Sequence, residues 1–216
     1  MLTKDEFAAA AAVSPAAMAR LEAMDAVFLD SASRHNLVAR STIPERWSRH
    51  YLDSAQLAAL LPAGISTIVD LGSGAGFPAL VLAAMLAEKD VHVTMIESTG
   101  KKAAFLSAAA DAMGVAVTVI QDRIESTKLK FSPDIITARA LARLDKLLDY
   151  GAGIQGQNTK YFFLKGQDVE DELTEAAKCW HMDVKRHTSH TNPQATILEI
   201  ENLSRGKKSK ERTKRG

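Results

Sequence analysis

Residues 69–78 read Val-Asp-Leu-Gly-Ser-Gly-Ala-Gly-Phe-Pro, and no other stretch constrains the fold as strongly. An apolar β-branched run enters three alternating glycines and leaves into the helix-forming segment 78–87, so the sequence predicts strand, tight turn and helix. Glycine admits left-handed backbone and lets a ligand approach without meeting a β-carbon. Gly72, Gly74 and Gly76 are therefore candidate ligand contacts. Their Gly-x-Gly-x-Gly spacing departs from the G-x-G-x-x-G dinucleotide fingerprint, which counts against a nicotinamide-dependent oxidoreductase. The chain also has no Gly-Lys-Ser/Thr, which the Walker loop requires.

Around this loop, short β-branched runs alternate with Ala- and Leu-rich stretches. The pattern predicts strands at 67–71, 92–97, 116–121, 134–138, 161–164, 182–185 and 195–200. Helices are predicted at 78–87, 101–113, 141–150 and 169–178, with Gly114 as a left-handed stop. Repeated strand–helix–strand units imply an α/β fold with a mostly parallel, doubly wound sheet, whose ligands bind beyond the carboxyl ends of the strands. Residues 1–62 read as a helical extension. Ser14 is placed to cap a helix that Pro15 begins, and a second apolar stripe runs from Trp47 to Leu61. Residues 63–203 form the α/β domain and 204–216 a basic, solvated arm.

The chain has 27 basic and 26 acidic residues, but seven of the bases and only one of the acids fall in 204–216, so the body is net acidic. A basic arm suits a polyanionic partner such as RNA. Arg40, Arg46, Arg49 and Arg143 are further candidates. The longest apolar run, 78–87, is too short to span a bilayer, so a membrane is not expected as a partner. The acidic N-terminus is unlike a secretory signal, and the lone Cys179 has no intrachain partner, so a cytoplasmic protein is expected. Cys179, His181, His187 and His190 lack the spacing of a zinc finger, and no metal is expected. Trp47, Trp180 and Phe131 read as core or rim residues rather than stacking platforms for bases.

Glu97 ends the strand after the glycine loop, where its two carboxylate oxygens can accept both hydroxyls of a ribose. An acid on the first strand, Asp70, followed by glycines and a second acid, resembles the Rossmann-like class I S-adenosylmethionine-dependent methyltransferases. Further motifs narrow the resemblance. Asn36-Leu37, then Arg49-His50-x-Leu52-Asp53-Ser54, the glycine loop through Phe77-Pro78, Glu97-Ser98-x-x-Lys101-Lys102-x-x-Phe105-Leu106, Arg123-Ile124-Glu125, Arg139-Ala140 and Leu164-Lys165-Gly166 together resemble the RsmG (GidB) family of ribosomal RNA methyltransferases. Lys102 stands where that family usually has arginine, and the two differ wherever a phosphate is gripped.

The resemblance implies a class I methyltransferase fold with an N-terminal helical extension. It also implies transfer of a methyl group from S-adenosylmethionine to N7 of a guanine in 16S ribosomal RNA of the small ribosomal subunit; a monomer is expected. Carried over by position, the cofactor contacts are Gly72, Phe77, Ile124, Glu125 and Arg139, beside Gly74, Gly76 and Glu97 from the loop argument. Guanine N7 has no proton to lose, so no residue is assigned as catalytic acid or base. Asp53 and Glu125 are candidates to face the positive charge of the product, and Arg139 and Lys165 to bind or orient substrate. A ribosome-binding assembly factor that keeps the fold without turnover is the alternative, although a pure scaffold has no need of the glycine loop and Glu97.

Overall fold

The computed structural model describes residues 2–206. Seven strands, β1 (Thr67–Leu71), β2 (His92–Ile96), β3 (Val117–Ile120), β4 (Ile135–Arg139), β5 (Lys160–Lys165), β6 (Trp180–Thr188) and β7 (Thr196–Arg205), form one sheet in the order β3-β2-β1-β4-β5-β7-β6. The first five neighbours are parallel, and β7 runs antiparallel to both β5 and β6. Strand order reverses between β1 and β4. That switch point leaves a crevice beyond their carboxyl ends, where the glycine loop emerges.

The strands of the first half are apolar on both faces because helices cover both. Ile68, Val69, Leu71, Val93, Met95 and Ile96 are all fully buried. The edge hairpin differs. β6 alternates buried or half-buried with exposed residues over much of its length, and His181, Asp183 and Arg186 on its exposed positions leave little apolar signal, which is why 182–185 was all that the sequence suggested. β7 is also longer than expected and takes in Ser204 and Arg205, which pair with His181 and Trp180. The expected arm is thus shortened at its start, and 207–216 lie outside the described residues.

One face of the sheet carries α4 (Ala79–Leu86) and α5 (Gly100–Met113), and the other carries α6 (Leu144–Ala152) and α7 (Val169–Ala176). The N-terminal region begins with α1 (Lys4–Ala10), closed by a Thr3–Glu6 capping box, and α2 (Pro15–Arg34), capped by Ser14 with Pro15 in its first turn. Leu21, Met24 and Phe28 of α2 are fully buried in the same core as α4 and α5, each worth roughly 2 kcal/mol in apolar burial. The extension therefore completes the domain's core and is no appended module.

The second predicted stripe folds as a π-helical segment (Trp47–Leu52), a short helix α3 (Asp53–Ala55) and a 3-10 turn (Gln56–Ala59). Wider π winding turns Trp47, His50 and Tyr51 inward together. Trp47 stacks on Tyr51 with centroids 4.2 Å apart and meets Phe7 at 5.2 Å, so it belongs to the core. Arg46 grips Asp25 through two hydrogen bonds of 2.6 and 2.9 Å, which removes it from the candidate RNA contacts. Arg40, Arg49 and Arg143 remain exposed.

Candidate functional site

All three glycines of the loop have left-handed backbone, with φ of 63°, 54° and 81° at Gly72, Gly74 and Gly76. Their surroundings separate their roles. A β-carbon at Gly72 would lie 2.5 Å from Leu141, and one at Gly74 would meet only the Gly72 carbonyl at 3.7 Å, on the open side of the loop. At Gly76 it would strike Leu80 at 2.4 Å and Leu106 at 3.3 Å. Gly76 thus lets α4 and α5 close against the loop, and it is not among the residues that line the cavity above it.

That cavity has a volume of about 560 Å³, and its wall includes Gly72, Gly74, Phe77, Glu97, Ile124, Glu125 and Arg139. Seven of the eight expected positions therefore converge, from four separate segments. Ser98, Lys102, Leu141 and Tyr150 also line it, although the sequence offered no signal for the last two.

Glu97 is buried at the centre. Its Oε2 accepts the Gly74 N–H at 2.9 Å and its Oε1 accepts the Thr99 N–H at 2.7 Å. The carboxylate thus holds the glycine loop against the start of α5, while each oxygen keeps a lone pair for a further donor. Asp70 is buried beneath the loop. Its Oδ1 accepts from Thr137 at 2.6 Å, and its Oδ2 has no partner among the described residues. Glu125 is exposed at the rim, and its own backbone N–H, then Tyr150, Lys146 and Arg123, hold its carboxyl below the usual range.

A second cavity of about 740 Å³ adjoins the first, and Thr42, His50, Arg139 and Ala140 line both. A chain of hydrogen bonds builds this border. Arg139 Nη1 donates to the Arg49 carbonyl at 3.1 Å, to His50 Nδ1 at 3.2 Å and to Asp53 Oδ2 at 3.3 Å. Because Nδ1 accepts, His50 carries its proton on Nε2 and donates it to Thr42 at 2.8 Å, and Thr42 donates to the Ala39 carbonyl. The aromatic floor is Phe77, with the His50 ring stacked on it at 5.2 Å and the Arg139 guanidinium above it at 5.2 Å. Ala140 has φ of 51°, a conformation that costs a non-glycine residue about 1 kcal/mol and is held by the surrounding contacts.

Lys165 lines this second cavity, with its ammonium already engaged. Its Nζ lies 2.6 Å from Glu172 and donates to the Ala142 carbonyl at 3.0 Å, while Glu172 also accepts the Leu144 N–H. The pair fastens the segment after β4 and so keeps Ala140 and Leu141 at the border. Asp53 likewise has partners on both oxygens, with Thr191 and Gln56 on Oδ1. His50, Asp53 and Ser54 form no triad, since Ser54 donates to the His50 carbonyl and the other two meet through Arg139. Cys179, His181, His187 and His190 do not converge, and among the described residues no group of three or more His, Cys, Asp or Glu side chains is placed to hold a metal. No described helix is long and apolar enough to cross a membrane.

Two buried groups here give opposing pH dependences. Burial, then the charges of Arg139 and Arg49, lowers the His50 pKa to about 4, so the folded protein binds fewer protons there than the unfolded chain, and stability falls as pH drops from 6.5 towards 4. Burial raises Asp70 to about 6 against the hydrogen bonds from Thr137 and Ser73, so its stability contribution is lost as pH rises from 3.8 through 6. The two slopes partly cancel. Asp70→Asn removes one of them, and its stability in urea should fall by roughly 2 kcal/mol between pH 7 and 5, against under roughly 1 kcal/mol for the unaltered protein. Equal slopes would show that Asp70 does not take up a proton on folding.

The cavity fits S-adenosylmethionine: bare glycine backbone, an acidic wall with free lone pairs, apolar surface at Ile96, Ile124 and Leu141, and an orphaned oxygen of Asp70 below. Comparison with known proteins bears on the same point. A family model described as rRNA small subunit methyltransferase G (GidB) matches residues 18–200. Similar curated proteins include the ribosomal RNA small subunit methyltransferases G of Rhodospirillum rubrum, 43% identical and covering 94% of this chain and 100% of that one, and of Paramagnetospirillum magneticum, 42% identical and covering 94% and 97%. Among solved structures, TYW2 of M. jannaschii in complex with AdoMet is similar in fold, with a TM-score of 0.56 at 15% identity over 81% of this chain and 80% of that one. The mitomycin 7-O-methyltransferase MmcR has a TM-score of 0.58 at 14% identity, over 92% and 70%.

Proposed function

This chain belongs to the rRNA small subunit methyltransferase G family, and on that premise we propose that it transfers a methyl group from S-adenosylmethionine to N7 of a guanine in 16S ribosomal RNA. The observation that carries this reading is the pair of adjoining cavities at the switch point, one floored by glycine backbone and walled by Glu97, the other polar and open. The first would hold the cofactor, through Gly72, Gly74, Phe77, Glu97, Ile124, Glu125 and Arg139. Its action on ribosomal subunits implies a cytoplasmic protein, which on this reading works as a monomer.

Held there by those residues, S-adenosylmethionine would supply a methyl carbon on positively charged sulfur for transfer to N7, leaving neutral S-adenosylhomocysteine and a positive charge on the base, with no proton to be removed. The chain therefore needs no general base, which agrees with a border whose one histidine is neutral and already hydrogen-bonded through both ring nitrogens. Its residues instead fix direction. Glu97 and the glycine loop hold one reactant, Arg139 and Ala140 mark the line to the other, and Phe77 with Leu141 keeps water from the gap.

The test is transfer of labelled methyl from S-adenosylmethionine to purified small subunits lacking this modification, followed by nucleoside analysis. The label is expected in 7-methylguanosine. Label in any other nucleoside would refute the guanine-N7 assignment, and no transfer despite cofactor and subunit binding would leave an assembly factor with the same fold.

A further inference from the structure

Gly166, directly after β5, is a glycine for which the fold gives no reason. Its φ lies outside the left-handed region, and a β-carbon built on it meets nothing within 4 Å. Replacing such a residue by alanine would ordinarily stabilise a protein by reducing the entropy of the unfolded chain. Gly76 and Gly151, by contrast, are each crowded by a side chain within 2.5 Å. Gly166 lines the 740 Å³ cavity, as does Arg139 at its border with the first cavity. The rest of that lining is dominated by groups that suit a nucleotide, among them Arg49, Ser189, Thr191, Asn192 and Thr196.

Resting on the reading of this chain as a guanine-N7 methyltransferase, we propose that this second cavity seats the target guanosine, and that Gly166 is bare so that the nucleotide can lie against its backbone. The border fits that orientation. Guanine carries N7 and O6 on one edge, both acceptors. A base that turns N7 towards the cofactor cavity also turns O6 to the border. There, all three hydrogen bonds of Arg139 fall on Nη1, while its Nε and Nη2 make none among the described residues. Those nitrogens are donors, which match O6 of guanine and oppose the amino group that adenine holds at the same place.

The wall beyond Gly166 is fixed in advance. Thr191 donates to Asp53 at 2.8 Å, Gln56 donates to Ser189 at 3.2 Å, and the His190 N–H donates to Gln56 at 2.9 Å, so the turn between β6 and β7 is fastened to the helical extension. A side chain added at exposed Gly166 would extend into open space at the cavity's edge, beside walls that are tied together and cannot retreat to make room for both it and a nucleotide.

Gly166→Ser and Gly166→Phe test this, measured on undermethylated small subunits with S-adenosylhomocysteine affinity from calorimetry and melting temperature alongside. The expected result is kcat/KM lowered severalfold by serine and at least tenfold by phenylalanine, with cofactor-product affinity within twofold of the unaltered protein. Serine, being small, keeps the test in force should the phenylalanine variant not fold. Wild-type kcat/KM in a folded variant would overturn the proposal alone. Loss of S-adenosylhomocysteine binding would move Gly166 to the cofactor side and overturn it as well. Absence of 7-methylguanosine with the unaltered protein would overturn the functional reading together with the proposal built on it.

Discussion

Glu97→Gln is expected to weaken S-adenosylhomocysteine binding about 100-fold, the upper end of what losing hydrogen bonds to a charged group does. The change keeps the shape of the side chain but replaces two acceptor oxygens with one acceptor and one donor. In the protein those oxygens take the N–H groups of Gly74 and Thr99. An amide can satisfy one of them and must turn an N–H towards the other, so the loop and the start of α5 can no longer be held by one side chain. The ribose hydroxyls proposed to bind here lose one of two acceptor oxygens in the same step. Calorimetric titration reads the effect, and an affinity equal to that of the unaltered protein would remove Glu97 from the site.

Gly76→Ala should be the most damaging single methyl addition to the fold. Left-handed backbone at φ 81° costs an alanine about 1–2 kcal/mol, and a β-carbon 2.4 Å from Leu80 adds an overpacking cost of about 1–3 kcal/mol. A total of roughly 3 kcal/mol corresponds to a fall of about 6–12 °C in melting temperature for a chain of this size. Gly114→Ala is the control, because φ there is also left-handed, at 64°, but nothing lies within 4 Å. It should lose about a third as much. Equal losses would mean that the contact with Leu80 is relieved at no cost and that only the backbone angle matters.

These two glycines show how far the sequence reaches. The strand–glycine–helix passage, the Ser14 cap with Pro15 and the left-handed stop at Gly114 are local signals, and each is found where the residues predict it. What a glycine is for is not local. Gly72, Gly74 and Gly76 look alike in the chain, but Leu80 and Leu106 claim the third for packing. Lys165 reads as an exposed cation at the end of a strand until Glu172, one helix later, takes it. Arg139 and Asp53 are 86 residues apart, and Thr191 and Asp53 are 138 apart. Nothing in periodicity or composition encodes such pairs, because they depend on which elements the sheet topology brings together. The edge strand β6 was underestimated for a related reason, since it needs apolar residues on one face only.

The placing of β7 has a consequence for how the molecule is made. β7 is inserted between β5 and β6, so β5, already paired with β4, keeps its other edge open and β6 has no neighbour in the sheet until residues 196–205 have been synthesised. Until then a nascent chain carries two open strand edges at once, a state prone to pairing with the wrong neighbour. The turn that closes the second cavity is fastened to residues 53–56 only when β7 is in place. A chain cut short before Thr196 would therefore possess every residue of the cofactor cavity and still lack both a finished sheet and the anchored wall of the second cavity, so the first cavity is encoded well before the second can be built.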